Sequence, residues 1–294
     1  MGTIQRVLER QGSPVRLLDQ QAVLDCAIEL DLGERVTGRL RLPSGEIDLD
    51  QVCSAYLRPY DFRRMAAVAR AGEGSEQWLR VAALEDDLWV WAQYTEALVL
   101  NRPDAMATNS SKPYQAELIR QHGFRVPDTL VTTDANAAAA FWEGHREVVY
   151  KSVSAVRSIV SRLTAEHLSR FADIGTCPTQ FQERVPGVDH RVHVVGTEVF
   201  CSRIRSAADD YRYAHERNLT IDIASVVLPS DCADRCRELA AGLGFSLAGI
   251  DLRLTPDGEW FCFEVNPSPG FTYYDREPGE PIAEAVGRLL VGAA

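Results

Sequence analysis

GIDLRLTPDGEWFCFEVNPSPGF, residues 249–271, is the stretch whose reading decides the fold. Two runs of alternating apolar and polar residues flank Thr255-Pro256-Asp257-Gly258, which has Pro and Gly where a tight turn wants them. The pattern predicts a β-hairpin. Pairing Leu254 with Glu259 sets Asp251 opposite Cys262, with Glu264 as its diagonal neighbour. Side chains alternate faces with period two, so Asp251, Glu264 and Asn266 project from one face. Ile250, Leu252, Leu254, Phe261, Phe263 and Val265 project from the other. Two carboxylates and a carboxamide beside an apolar face form a hard-oxygen site suited to Mg²⁺, which takes few protein carboxylates and keeps room for other oxygens. Any half-buried hairpin shows the same alternation. Acid, acid and amide in register, followed by the stiff loop Asn266-Pro267-Ser268-Pro269-Gly270, favour the site over a merely wet face.

Outward from the hairpin, the order of elements predicts an α/β (α+β) chain in three parts: residues 1–100, 101–185 and 186–294. In the first part, Thr3–Gln11 reads as helix and Val15–Asp19 as strand. A hairpin turns about Pro43-Ser44-Gly45, Ala55–Arg58 is a further strand, and residues 75–97 have helical spacing. In the second, Ser110-Ser111 cap a helix ending at Gly123, Pro127–Thr132 is a strand and Asp134 caps the next helix. Glu147–Lys151, Ser158–Leu163 and Thr179–Val185 read as strands and Thr164–Phe171 as helix. In the third, a hairpin turns about Gly196-Thr197, helices cover 231–243 and 281–292, and the opening hairpin lies between them. This is not the repeating strand–helix order of a Rossmann fold or barrel.

A formal charge of −11 argues against nucleic acid or an anionic membrane as partner. No run approaches the length of a membrane span, and Met1–Arg6 lacks the apolar core of a signal peptide. The seven cysteines are scattered without a Cys-x-x-Cys, so they read as reduced thiols of a cytoplasmic protein. Cys232 and Cys236 share a helix face, but no His or second pair completes a zinc set.

The two lysines stand against 29 arginines, which makes each lysine informative. Lys112 opens a helix, where exposed amides already favour anions, so an anionic partner is expected beside it. Lys151 ends an apolar strand. Gln182-Glu183-Arg184-Val185 runs into the Pro186-Gly187 break, where a chain leaving its sheet can offer main-chain N–H and C=O to the edge of an adenine. Asp189, Arg191, Arg203, Arg205 and Arg212 follow. Arginines on neighbouring strands suit bidentate capture of phosphate or carboxylate, or else an Arg–Asp lattice on a polar sheet face.

With Lys112, Lys151, Gln182-Glu183, Asp189-x-Arg191, Asp251 and Glu264-x-Asn266-x-Ser268-Pro269-Gly270 in this order, the chain from Asn101 onward resembles the ATP-grasp superfamily. The resemblance is greatest to its RimK-type glutamate ligases and peptide-maturing ligases. It implies a fold in which two α+β lobes follow an N-terminal lobe and clamp ATP. Lys112 and Lys151 would hold the α- and β-phosphates, Gln182, Glu183, Arg184 and Val185 would take the adenine edge, and Asp189 would face the ribose. Asp251, Glu264 and Asn266 would carry two Mg²⁺ ions (Mn²⁺ as substitute). Arg191, Arg205 and Arg212 would face phosphate or substrate. Where the family often has a glycine-rich lid, this chain has Ser152-Val153-Ser154-Ala155-Val156-Arg157-Ser158.

The implied activity is ATP-dependent, ADP-forming ligation of a carboxylate to an amine through an acylphosphate, with Asp210 or His215 as candidate bases. Three readings stay open: a ligase for a small amino acid or a protein tail, a macrocyclase acting on a precursor peptide, and a non-catalytic ATP-binding protein. A homo-oligomer is a further expectation of the resemblance.

Overall fold

In a computed structural model, the described residues are 2–145, 147–153, 160–206, 220–275 and 279–292. They form two compact units.

The first unit comprises Met1–Met106, Gly244–Leu247 and Asp275–Ala294. It opens with helix α1 (Gly2–Arg10). Val15–Asp19 is not a strand: it pairs into no sheet and leads to a 3₁₀ turn over Gln20–Asp25, which Asp19 caps by accepting the Gln21 N–H at 2.9 Å. An antiparallel three-stranded sheet follows, β1 (Ala27–Leu32), β2 (Val36–Leu42) and β3 (Gly45–Asp48), with the β2–β3 turn at the expected Pro43-Ser44-Gly45. Strand β4 (Ser54–Tyr56), helix α2 (Ala66–Ala71) and the long helix α3 (Glu76–Tyr94) lead to β5 (Leu98–Leu100), which pairs in parallel with β4. Ser75 caps α3 by accepting the Trp78 N–H. At its other end the Arg102 guanidinium donates to the carbonyls of Ala92, Gln93 and Thr95, acceptors that a helix end leaves open, and to that of Ala97 just beyond. Helix α4 (Pro103–Met106) ends this segment. The core beneath is apolar, built on Val23, Leu40, Val68, Val81, Leu84, Trp91 and Val99.

The second unit comprises Ala107–Leu243 and Ala248–Tyr274. Helix α5 (Lys112–Gln121) precedes strand β6 (Thr129–Thr132), helix α6 (Ala135–Gly144) and strand β7 (Val148–Ser152). Asp134 caps α6 as expected, its carboxylate accepting the Asn136 N–H at 2.8 Å. Strand β8 (Ser161–Arg162), a single-turn helix α7 (Ala165–Leu168) and strand β9 (Thr179–Glu183) complete a four-stranded sheet of order β6-β9-β7-β8. Val148, Leu163, Phe171 and Phe181 form its core with Ala138 of α6.

Strands β10 (Val188–Val195), β11 (Glu198–Ser206) and β12 (Ile221–Val226), helix α8 (Ser230–Gly242), and strands β13 (Leu247–Leu254) and β14 (Trp260–Asn266) make the second sheet of this unit. Its order is β12-β11-β10-β13-β14. Central β10 is buried along most of its length, and α8 packs on β10 and β11 through Cys232, Cys236, Leu239 and Ala240. The chain then returns to the first unit as helix α9 (Pro281–Val291), which packs on α1. A Cβ on Gly287 of α9 would lie 2.5 Å from Val7 Cγ1, so only glycine lets the two helices approach this closely.

Candidate functional site

The expected hairpin is present, with a different register. Leu254 pairs with Trp260 rather than Glu259, and a β-bulge falls between Asp251 and Leu252. The bulge places one extra residue, Phe263, in β14, so that Asp251 lies directly opposite Glu264 and Leu252 opposite Cys262. Cys262 therefore joins the apolar face, where it is fully buried, instead of sitting beside Asp251. The correction brings the two acids closer than the simple register would, since directly opposed Cβ atoms are ~4.5–5.5 Å apart and diagonal ones ~7–8 Å. Asn266 lies opposite Gly249, on the same face as Glu264 by alternation, and its Oδ1 accepts the Ser268 N–H at 2.8 Å.

Each acid meets a cation. Lys112 Nζ lies 2.9 Å from Glu264 Oε1, and Asn109 Oδ1 accepts from the same ammonium at 2.8 Å. Arg191 NH1 donates to Asp251 Oδ1 at 2.7 Å, with the arginine side chain only 7% exposed. Gly249 makes room for this guanidinium: a Cβ there would lie 2.1 Å from Arg191 NH2 and 2.6 Å from Pro269 Cβ. Two carboxylates and a carboxamide oxygen are the donor set a hard divalent cation uses, so the residues fit Mg²⁺. Asp251, Glu264 and Asn266 would hold it.

The acid pair lines a cleft that also takes in Lys151, Gln182, Glu183, Arg184, Val185, Asp189 and Phe263. Its walls come from β7 and β9 of the four-stranded sheet and from β10, β13 and β14 of the five-stranded one. Gln182 Nε2 donates to Thr129 Oγ1, and Arg184 pairs with Glu147 at 2.7 Å. Asp189 Oδ1 accepts from Arg253 Nε at 2.7 Å, and the same guanidinium donates to the Val185 carbonyl at 2.9 Å.

Arg253 is a site residue the sequence reading passed over. It lies two positions beyond Asp251 on the same face, clamps Asp189 and Val185, and stacks 5.1 Å from the Phe263 ring centroid. Gln115 is the other. Buried at 1% exposure, its amide donates to the Val265 carbonyl at 2.8 Å and accepts the Val265 N–H at 3.1 Å. It ties the helix that starts with Lys112 to the strand that carries Glu264 and Asn266.

Of the arginines grouped by sequence, Arg191 enters the site and Arg205 does not. Ser202 is opposite Arg191, so strand alternation turns Arg203 and Arg205 to the other face, and Arg205 is exposed across from Asp222. Arg157 and Arg212, with Asp210 and His215, lie outside the described residues. His193 is fully buried on β10, its Nε2 3.4 Å from the Gly270 carbonyl. Burial, helped by the nearby Arg191 charge, lowers its pKa to about 3, so it is neutral and is not a base at work in solution. Cys201 is pushed up to about 12 by burial, and burial likewise raises Cys262. These are inert thiols.

No family model matches the chain. A curated relative, β-citrylglutamate synthase B of Danio rerio, is 26% identical over 208 residues, which is 66% of this chain and 50% of the relative. The chain thus spans half the length of that relative. Among solved structures, a peptide-associated ATP-grasp ligase of Chryseobacterium gregarium, in complex with ADP and a leader and core peptide, superposes with a TM-score of 0.85. It is 20% identical, covering 100% of this chain and 93% of that one. The macrocyclase MdnC of Microcystis aeruginosa, bound with its precursor peptide, gives 0.80 at 22% identity, covering 99% and 95%. The D-Ala:D-Ser ligase VanG of Enterococcus faecalis gives 0.51 at 18% identity over 70% of this chain.

Proposed function

We propose that this chain, which has the ATP-grasp fold, is an ATP-dependent, ADP-forming ligase that joins a carboxylate to an amine or hydroxyl. The observation that carries the reading is the cleft itself: Lys151, the Gln182–Val185 segment and Asp189 line the same space as the opposed acids Asp251 and Glu264, with Lys112 at 2.9 Å from Glu264. In this reading the end of β9 offers main-chain groups to the adenine edge, and Lys112 and Lys151 meet the phosphates. Bound Mg²⁺ would supply charge neutralisation for the triphosphate. The substrate carboxylate attacks the γ-phosphorus, the bond from that phosphorus to the bridging oxygen breaks, and ADP leaves. The amine or hydroxyl then adds to the acyl carbon and gives up its proton to solvent, and inorganic phosphate departs with the C–O bond electrons. The protein's share is alignment and charge placement, the usual division of labour in phosphoryl transfer.

Arg191 acts by positioning: its ion pair to Asp251 fixes one of the metal-facing acids. Arg253 does the same for Asp189 and the segment before it. Arg212 is proposed to face phosphate or substrate.

A peptide carboxylate is the favoured substrate class over a free amino acid. The peptide-bound solved structures match this chain over 99–100% of its length, whereas VanG matches over 70%. The mechanism would then make an ester or amide ring within one peptide. No helix of the described residues is long and apolar enough to cross a membrane, and a cytoplasmic location is part of the proposal.

The test is calorimetric titration with ATP and Mg²⁺, followed by ADP release across amino acids, dipeptides and acidic peptides, with Glu264→Gln as control. Saturable, Mg²⁺-dependent ATP binding that Glu264→Gln weakens is expected. ATP binding that is absent, or unchanged by Mg²⁺ and by Glu264→Gln, would overturn the reading.

A further inference from the structure

Beside strand β6 of the four-stranded sheet, Asp128, His145 and Glu183 converge. One ligand atom from each lies within 4.8 Å of the others. Three separate elements deliver them: the entry to β6, the residue after α6, and the last residue of β9.

Their backbones are fixed. The Glu183 N–H donates to the Asp128 carbonyl at 2.9 Å, and the Asp128 N–H donates to Glu183 Oε1 at 2.9 Å. The His145 ring stacks on Phe141 at 4.1 Å between centroids, and its Nδ1 lies 2.9 Å from the Phe141 carbonyl. A carbonyl only accepts, so Nδ1 carries a hydrogen and the remaining lone pair of a neutral ring sits on Nε2. That lone pair points at Asp128 Oδ2, 3.4 Å away.

Two acceptors face each other at this distance, with a second carboxylate adjacent, an arrangement that positive charge between them would stabilise. A proton on Nε2 would provide it for Asp128. It would leave Glu183 as a second negative charge without a share of that proton. A divalent cation serves all three. In a metal-ligating histidine the ring nitrogen turned away from the ion is usually held by a carbonyl or carboxylate, as Nδ1 is here. One imidazole with two carboxylates selects Zn²⁺ or a similar transition ion rather than Mg²⁺, which prefers oxygen throughout.

We propose that Asp128, His145 and Glu183 form a Zn²⁺ site, with water completing the tetrahedron. Tetrahedral ligands at about 2.1 Å from zinc are about 3.4 Å apart. The side chains therefore close by roughly an ångström on binding, which the largely exposed Asp128 can supply. Because Glu183 also lines the cleft, the ion would pin the end of β9 to α6 and stiffen that wall. The inference is independent of the proposed ligase activity.

The experiment is Zn²⁺ titration of the full chain against a chromophoric chelator, in excess Mg²⁺ to occupy the hard-oxygen site. One equivalent is expected, with affinity at least tenfold weaker in His145→Ala and in Asp128→Asn and unchanged in Cys232→Ala/Cys236→Ala. His145→Gln, which keeps a donor for the Phe141 carbonyl, guards against a folding defect and should lose binding equally. Zn²⁺ should raise the melting temperature of the wild type and not of His145→Gln. Co²⁺ in place of Zn²⁺ should show visible bands without thiolate charge transfer. No saturable Zn²⁺ binding, binding equal in both His145 variants and wild type, or a thiolate band would overturn the site. Since the readout is metal uptake, such a failure leaves the nucleotide proposal standing on its own test.

Discussion

Replacing Gln115 with Met should destabilise the protein by about 2–6 kcal/mol. Strand β14 is the outer strand of its sheet, so Val265 has a main-chain N–H and C=O facing away from β13. Gln115 satisfies both, at 3.1 and 2.8 Å, from a position 1% exposed. Methionine has nearly the same length and volume and neither donor nor acceptor of use here, so packing is preserved while two buried groups lose their partners. Each such loss costs about 1–3 kcal/mol. Against a typical total of ~5–15 kcal/mol, that is a large fraction. Urea unfolding should show a lower midpoint with an unchanged slope. Hydrogen exchange at the Val265 amide should quicken by about tenfold or more, because the local opening free energy falls. A destabilisation below about 1 kcal/mol, with Val265 exchange unaltered, would refute the assignment of Gln115 as the seal of this edge. Nucleotide affinity should also drop, because Lys112 and Glu264 sit on the two elements that Gln115 joins.

Further outcomes are expected elsewhere. Lys151→Ala should weaken ATP binding by tenfold or more in calorimetry, and unchanged affinity would remove Lys151 from the phosphates. Gly249→Ala should displace Arg191 and reduce Mg²⁺-dependent ATP binding, since its Cβ would fall 2.1 Å from the guanidinium. His193, with its pKa lowered to about 3 by burial, binds its proton more readily unfolded; its contribution is whole above about pH 6.5 and is lost as pH falls toward 3. Stability of the wild type should thus fall by up to about 1.4 kcal/mol per pH unit from this group across that window, and His193→Gln should remove that slope. Native alkylation should label two thiols, Cys53 and Cys177, and the other five only after unfolding.

Much of the hairpin was legible because alternation and turn chemistry are local. Its register was not. Cys262 and Phe263 are both apolar, so the sequence accommodates the extra residue without leaving a mark. Arg253 was legible in principle, two positions past Asp251 on the same face; its partner Asp189 lies on another strand, which local spacing does not show. Arg205 could be separated from Arg191 only by cross-strand register, which links two strands and cannot be read within either. Gln115 presents a similar case: one polar residue in a short amphipathic helix is unremarkable until a bare strand edge is found beside it. Val15–Asp19 shows the reverse error, where a short apolar run outweighed the turn signal of Asp19.

The placement of α9 bears on how the molecule is made. Its first hundred residues emerge early from the ribosome, yet the helix that covers α1 is synthesised some way after every strand of the other unit has been completed. Until then Ile4, Val7 and Leu8 lack their covering surface. The core around α1 is therefore expected to close only once α9 has been made.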